Sequence, residues 1–231
     1  MTWKQTLAKR SHTARVAAFR MLERALGPRS DPTQFSPEIE VLGDSLEVIT
    51  ALLAKDRERH GGRTPTYLDV GGRKGERANV ASWYEYLAMD LEPRAEHVVV
   101  GDICHCPEIP DNTYDVVASY DVFEHLQRPW DAARECIRIT KPGGLLIHRT
   151  LFAYRYHPIP IDYWRFTAQG LEYLFTRDGD VETVRKGYDL RKRRVNHLGW
   201  PMTGNRDVPP VDFWGGFREN WLVLFVGRKR G

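Results

Sequence analysis

From about residue 63 onward, short apolar runs alternate with amphipathic stretches, the pattern of a parallel sheet covered by helices on both faces. Strands are predicted at Tyr67–Val70, Glu85–Met89, His97–Val100, Tyr114–Ser119, Gly144–His148, Val181–Tyr188 and Trp221–Gly227. Helices fall between them. Pro129 opens one that runs to Ile139, and Lys141-Pro142-Gly143-Gly144 turns sharply from it into the next strand. Thr167 caps another over Ala168–Phe175. Before Gly61-Gly62 the period is helical. Thr2–Leu26 reads as a helix ended by Gly27-Pro28, with Trp3, Leu7, Phe19 and Leu22 giving an incomplete apolar face. Ser36-Pro37-Glu38 then supplies an N-cap, a first-turn proline and a first-turn acid. Ile39, Leu42, Leu46, Ile49 and Leu53 recur at helical spacing, which predicts a second helix packed on the core. Residues 196–216 carry Gly, Pro and Trp without a clear period and read as an irregular excursion before the last strand.

At 231 residues the chain is long enough for one full core and short for two independent domains. With 42% hydrophobic and 28% charged residues it has ordinary globular composition. Gly143–Ile147 and Trp221–Val226 are the longest nearly apolar stretches, too short to span a bilayer, and the N-terminus lacks the apolar segment of a signal peptide. The expected location is therefore cytoplasmic. Cys104, Cys106 and Cys136 form an odd set without disulfide spacing, which fits a reducing compartment. Cys104-His105-Cys106 has no second ligand pair at metal-binding spacing, so no metal is expected.

The net charge of +3 does not by itself imply nucleic acid. Basic residues are concentrated, however, at Lys4, Lys9, Arg10, Arg15, Arg20 and Arg24 of the first helix and in Arg191-Lys192-Arg193-Arg194. Such runs read first as solvated faces. The alternative is an anionic acceptor or peripheral membrane contact through the basic N-terminal helix.

The candidate chemistry starts at the carboxyl end of the first strand, where Tyr67-Leu68-Asp69-Val70-Gly71-Gly72-Arg73-Lys74-Gly75 places an acid and a glycine turn. Doubly wound sheets bind ligands at this edge. Glycine lets backbone approach a ligand without a Cβ clash, and the following helix offers unpaired N–H groups. Asp90 closes the second strand about twenty residues after Asp69, the spacing at which an acid meets a ribose diol. Asp102 closes the third, where it is able to accept from an adenine amine while Ile103 packs on the ring. Capping and surface solvation would explain any one of these acids, but not the ordered series. A dinucleotide fold would show G-x-G-x-x-G to admit a pyrophosphate, whereas Arg73 stands where a glycine is usual. S-adenosylmethionine carries a ribose, an adenine and a sulfonium but no phosphate, so clustered acids suit it.

Leu68–Gly75, Met89-Asp90, Gly101-Asp102-Ile103, Tyr114–Leu126 and Arg138–Ile147 resemble, in order, the motifs of class I S-adenosylmethionine methyltransferases, over about Thr66 to Thr150. The most specific pieces are Tyr114-Asp115-Val116-Val117 leading to Phe123-Glu124-His125-Leu126, and the Lys141–Gly144 turn. The resemblance implies an α/β, Rossmann-like fold with a seven-stranded, mostly parallel sheet whose last strand is antiparallel, with helices on both faces and extra N-terminal helices. It implies a helical extension over residues 1–62 and a cofactor-binding domain over 63–231, with acceptor-side loops 151–166 and 191–217. Gly71 and Gly72 would lie near the methionine moiety, Asp90 would take the ribose, and Asp102 and Ile103 the adenine, with Asp69, Gly75 and Leu91 also among the cofactor-binding residues. Ser119, Tyr120 and Asp121 would line the floor near the sulfonium. Arg73 departs from the family glycine; it or Lys74 is placed to reach the cofactor carboxylate. The product would be S-adenosylhomocysteine.

Methyl transfer to a hydroxyl needs a positioned acceptor and a base near neutral pKa, so histidines at the sheet edge are the candidates. His125 follows the fourth strand; a capping role is its alternative. His148 ends the fifth and is a weaker candidate base, expected also as an acceptor contact. Residues 152–167 are dense in aromatic and ionisable groups for a loop, which marks function. His157 and Asp162 are the candidate bases there, and Tyr154, Tyr163, Trp164 and Arg165 the candidate acceptor contacts, with core packing and an Asp162–Arg165 pair as the alternative. This block resembles one in bacterial methyltransferases that accompany glycan or secondary-metabolite pathways. Ser119-Tyr120-Asp121-Val122 replaces the Asn-Pro-Pro-Tyr type signature of amino-group methylation, which points away from nucleic-acid bases. The expected acceptor is a hydroxyl of a sugar or small metabolite, with an amine or carboxylate of a natural product as alternative; a non-catalytic cofactor-binding scaffold is the third reading.

Overall fold

A computed structural model of the chain describes residues 21, 40–72, 82–92, 98–154, 156, 158, 160–189 and 221–231. The chain divides into two compact units, Met1–Glu40 with Arg194–Arg218 and Val41–Arg193 with Glu219–Gly231. Only residues 21 and 40 of the first are described, and the basic N-terminal helix and the 191–217 loop lie outside the described residues. Arg73, Gly75 and His157 lie outside them too. All the other described residues belong to the second unit.

The centre of that unit is a seven-stranded sheet of β1 (Thr66–Val70), β2 (Glu85–Asp90), β3 (Val98–Val100), β4 (Tyr114–Tyr120), β5 (Thr140–Ala153), β6 (Val181–Asp189) and β7 (Trp221–Lys229), in the order β3-β2-β1-β4-β5-β7-β6. The first five strands pair in parallel, and β7 runs antiparallel to both β5 and β6. Every predicted strand is present. The predicted Lys141–Gly144 turn is a bulge within β5: Tyr114 pairs with Thr140, but Val116 pairs with Leu145, so four residues loop out of register. Gly143 sits at φ +79, and a Cβ on Gly144 would lie 2.7 Å from the Asp115 carbonyl oxygen.

The helix before the sheet is shorter than its periodicity suggests. α1 spans Ser45–Arg57, capped by the Asp44 side chain, which accepts from the Leu46 N–H at 2.9 Å. Gly43 at φ +73 interrupts the helical run, and Val41 pairs with Tyr188 of β6 instead. Leu42 therefore lies outside the helix. Ile49 and Leu53 of α1 are fully buried against Tyr67, Val116, Ala118, Tyr120, Leu145, Ile147, Leu224 and Val226. That burial places α1 with the sheet unit, Val41–Arg193 with Glu219–Gly231.

Strand alternation sends the intervening residues to the other face. α2 (Pro129–Ile139) opens on its proline and buries Ala132, Ala133, Cys136 and Ile139; α3 (Ala168–Thr176) is capped by the Thr167 side chain and buries Leu171 and Phe175. Cys104, Cys106 and Cys136 are free thiols. Burial pushes Cys104 up to about 11 and Cys106 up to about 12.

At the amino ends of the strands Asp115 is buried and accepts from Arg63, from the Thr66 N–H and hydroxyl at 2.9 and 3.0 Å, and from Lys141 at 2.9 Å. Among the described residues, no helix is long and apolar enough to cross a membrane.

Candidate functional site

The carboxyl ends of the parallel strands open into a cleft of about 310 Å³, within the roughly 300–1,000 Å³ of small-molecule pockets. Asp69, Gly71 and Gly72 line it from β1, Met89, Asp90 and Leu91 from β2, Gly101, Asp102 and Ile103 from β3, and Tyr120, Asp121 and Val122 from β4. His125, Leu126 and Pro160 add the remaining wall. Inter-strand bonds fix this rim: the Gly71 N–H donates to the Met89 carbonyl at 2.7 Å and the Gly101 N–H to the Asp90 carbonyl at 3.0 Å.

The glycines are required by close approach. Gly71 adopts φ +75, and a Cβ there would lie 2.5 Å from Val122 Cγ2. A Cβ on Gly72 would lie 2.7 Å from Asp69 Oδ2. That carboxylate is held by the Tyr86 hydroxyl at 2.6 Å, Tyr86 stacks on Tyr67, and Tyr67 shares a 2.8 Å hydrogen bond with Tyr120. Tyr86 was not apparent as a site residue, because nothing in the strand pattern says that its hydroxyl reaches back across to β1.

Asp102 Oδ1 accepts from the Cys104 N–H at 2.9 Å in a tight turn that leaves Ile103 buried beneath it. Asp121 sits at φ +57 and receives Arg149 Nη2 at 2.8 Å; Arg149 in turn lies over the Tyr120 ring. Among the described lining residues there are four carboxylates, Asp69, Asp90, Asp102 and Asp121, and no lysine or arginine.

Ser119 does not line the cleft. Strand alternation turns it, with His148, to the face covered by α2 and α3, where its hydroxyl shares a 2.8 Å hydrogen bond with His148 Nδ1. His148 is wholly buried, stacked on Phe175 at 4.2 Å, and burial pushes its imidazole down to about 3. It is a neutral core residue and not an acceptor contact.

On the acceptor side, residues 160–166 are tied to the 3₁₀ turn Phe123–His125 that follows β4. The Glu124 carbonyl accepts from the Tyr163 and Trp164 N–H groups at 2.8 and 3.2 Å, and the Leu126 carbonyl accepts from Trp164 Nε1 at 2.7 Å. His125 Nδ1 lies 2.6 Å from the Ile161 carbonyl. A carbonyl only accepts, so Nδ1 carries the hydrogen and Nε2 the lone pair. His125 is thus the one candidate base that the described residues place on the cleft wall.

Asp162, expected as a base, is instead paired with Arg165: its side chain is 1% exposed and its Oδ2 accepts from Nη2 at 2.7 Å. Arg165 also donates from Nε to the Tyr154 carbonyl at 3.2 Å. Tyr154, Tyr163, Trp164 and Arg165 are not among the side chains lining the cleft; Tyr163 and Trp164 are exposed, and Trp164 packs edge-on against Trp130.

Glu124, between the two halves of the site, was missed. It is fully buried, and Thr150 Oγ1 donates to its Oε2 at 2.6 Å. Burial, with Asp121 nearby, pushes its carboxyl up to about 7.

Residues 68–148 match the model of a methyltransferase domain family. The chain is 32% identical over 160 residues to an uncharacterized methyltransferase of Mycobacterium sp. (strain KMS), covering 64% of this chain and 61% of that protein. It is also 32% identical over 159 residues to one of Mycobacterium avium (strain 104), covering 61% and 58%. The chain thus spans about three-fifths of the length of the curated relatives it matches. Among solved structures it is similar to a Burkholderia thailandensis 1,6-didemethyltoxoflavin-N1-methyltransferase bound to S-adenosylhomocysteine, at TM-score 0.54 and 14% identity, covering 100% of this chain and 92% of that one. A S-adenosylmethionine-dependent methyltransferase from Archaeoglobus fulgidus is similar at TM-score 0.52 and 15% identity, covering 80% and 95%. At these identities the structures speak to the fold, which is that of class I methyltransferases.

Proposed function

We propose, from the premise that the chain belongs to the class I S-adenosylmethionine-dependent methyltransferase family, that it methylates a hydroxyl of a sugar or other small metabolite. The observation that carries this reading is the row of carboxylates on successive strand ends in one cleft with no cation among its described lining. A pyrophosphate would meet repulsion there; a phosphate-free nucleoside bearing a positive sulfur meets attraction. Gly71 and Gly72 line the same cleft, and their backbone fits contact with the donor's amino-acid end.

When bound, S-adenosylmethionine supplies a methyl carbon made electrophilic by its sulfonium. Asp90 takes the ribose hydroxyls, and Asp102 with Ile103 takes the adenine. Asp121 and Tyr120 form the floor, and Val122, Leu126 and Pro160 keep water from the reacting atoms. His125 Nε2 accepts the acceptor's proton. The three free thiols fit a reducing, cytoplasmic setting.

Titration calorimetry with S-adenosylhomocysteine tests the reading. Wild-type protein binds, and Asp90→Ala weakens binding by about 1–3 kcal/mol, the cost of losing a charged hydrogen-bond partner. No heat with wild type, or binding of a dinucleotide instead, overturns the assignment.

A further inference from the structure

We infer that Glu135 and Arg138 of α2 are positioning residues for the base end of the cleft: together they hold the Gly101–Cys106 turn, which carries Asp102 and Ile103, in the conformation that selects adenine over another purine. The base assignment rests on the methyl-donor reading above; the brace itself does not.

The turn has little support from the sheet. β3 stands at the end of the strand order, and Val98, Val99 and Val100 pair with Ala88, Met89 and Asp90 of β2. Residues 101–113 then carry the chain to the start of β4 with no helix or strand of their own. A crossover between parallel strands usually satisfies its backbone groups within a helix. Here α2 supplies side-chain partners instead. Cys106, wholly buried, is the fixed point. Its N–H and its thiol both donate to Glu135 Oε2 at 3.1 Å, and its carbonyl accepts from Arg138 Nη2 at 2.9 Å. Arg138 Nη1 reaches further along the crossover, to the Ile109 carbonyl at 2.7 Å and Asp111 Oδ1 at 2.8 Å.

The two side chains also fix each other. They lie three residues apart on α2 and meet fork to fork, Nε on Oε1 at 3.0 Å and Nη2 on Oε2 at 2.7 Å. The bond from Arg138, with those from the Cys106 thiol and N–H, outweighs burial and pulls the Glu135 carboxyl down to about 2, so the brace keeps its charge at neutral pH.

From Cys106 the constraint passes to the cleft through the turn. The His105 N–H donates to the Asp102 carbonyl at 2.8 Å, and the Cys104 N–H to Asp102 Oδ1 at 2.9 Å. Asp102 is thereby set on the cleft rim over the buried Ile103. A purine amine donates to a carboxylate at that place, whereas a keto oxygen is repelled by it. Discrimination of that kind needs an acceptor that stays where it is.

Titration calorimetry tests this with S-adenosylhomocysteine and S-inosylhomocysteine, which differ in carrying an amine or a keto oxygen on the base. Wild type prefers the adenine compound by roughly 10- to 100-fold, the worth of one hydrogen bond to a charged group. Arg138→Met, which keeps the stem but removes every donor, and the milder Glu135→Gln both bring the ratio close to one. Arg138→Lys does not restore it, because an ammonium cannot replace the fork. Asp115→Ala, a loss at the far end of β4, leaves the ratio as in wild type, which separates base selection from stability. Without any ligand, amide hydrogen exchange over residues 101–109 is faster in Arg138→Met and Glu135→Gln than in wild type. A preference that persists in both variants, or exchange that does not change, overturns the inference while the donor reading stands. Binding of neither compound to wild type overturns the base assignment together with the donor reading, and the exchange result still decides the brace.

Discussion

Asp115→Ala is expected to lower stability by about 2–4 kcal/mol, a fall of roughly 5–15 °C in thermal midpoint for a domain of this size. Removing one partner from a buried ionic cluster leaves the others desolvated and unpaired. Here Arg63 and Lys141 would lose their shared acceptor, and the Thr66 N–H at the start of β1 would lose its partner. The loss is held below the upper end for buried pairs because Arg63 is half exposed. The effect depends on pH with a definite sign. Burial opposes the Asp115 charge, but the bonds from Arg63, Thr66 and Lys141 outweigh it and hold the carboxyl well below the usual carboxylate range. A depressed carboxyl contributes its full stability above its unfolded pKa, about 3.9, and loses it as pH falls toward the folded value. Urea titrations of wild type and Asp115→Ala should therefore differ most at pH 7 and converge as the solution approaches pH 2. A gap that is absent at pH 7, or that stays constant into acid, would refute the account. The residue stands at the opposite end of β4 from the cleft, so ligand affinity of the folded fraction should be retained.

Gly71→Ala is expected to reduce affinity for S-adenosylhomocysteine by about 100-fold. The new methyl group would lie 2.5 Å from Val122 Cγ2, inside van der Waals contact, on a backbone at φ +75. Left-handed backbone costs a non-glycine residue about 1–2 kcal/mol, and overpacking typically another 1–3. Relief requires the turn to rotate, which breaks the bond from Gly71 to the Met89 carbonyl and moves backbone that lines the cleft. At about 1.4 kcal/mol per tenfold, the combined strain corresponds to roughly two decades in affinity. Val122→Ala in the same chain removes the clash but not the dihedral cost and should restore about one decade. Calorimetry on the single and double variants decides: equal affinity in Gly71→Ala and wild type would show that the turn is not built around that contact.

The strands and the acids that end them were legible for the same reason. Each strand is a short, nearly apolar run, so the first carboxylate after it marks both its end and the ligand edge, as at Asp90 after Met89 and Asp102 after Val100. The start of α1 was not legible, because Ser36-Pro37-Glu38 is a stronger local capping signal than Gly43-Asp44, and the decisive fact, a positive φ at Gly43, is set by tertiary pairing of Val41 with Tyr188. Ser119 and His148 were placed by their nearness to the sheet edge, although strand alternation puts both on the face opposite Tyr120 and Arg149, under α2 and α3. The i,i+3 spacing of Asp162 and Arg165 offered either a base or an ion pair, and composition alone could not choose between them. Glu124 was visible as part of the Phe123–Leu126 motif but not as a site residue, since a carboxylate inside a core is chosen by its surroundings, Thr150 from a strand 26 residues later among them.

The quiet thiols have a practical consequence. Maleimides attack only the thiolate, and with Cys104 raised to about 11 and Cys106 to about 12 less than roughly one sulfur in a thousand is ionised at neutral pH. A cysteine introduced at Leu91, exposed on the rim of the cleft, would therefore take a fluorophore ahead of the native ones and convert occupancy of the cleft into an optical signal.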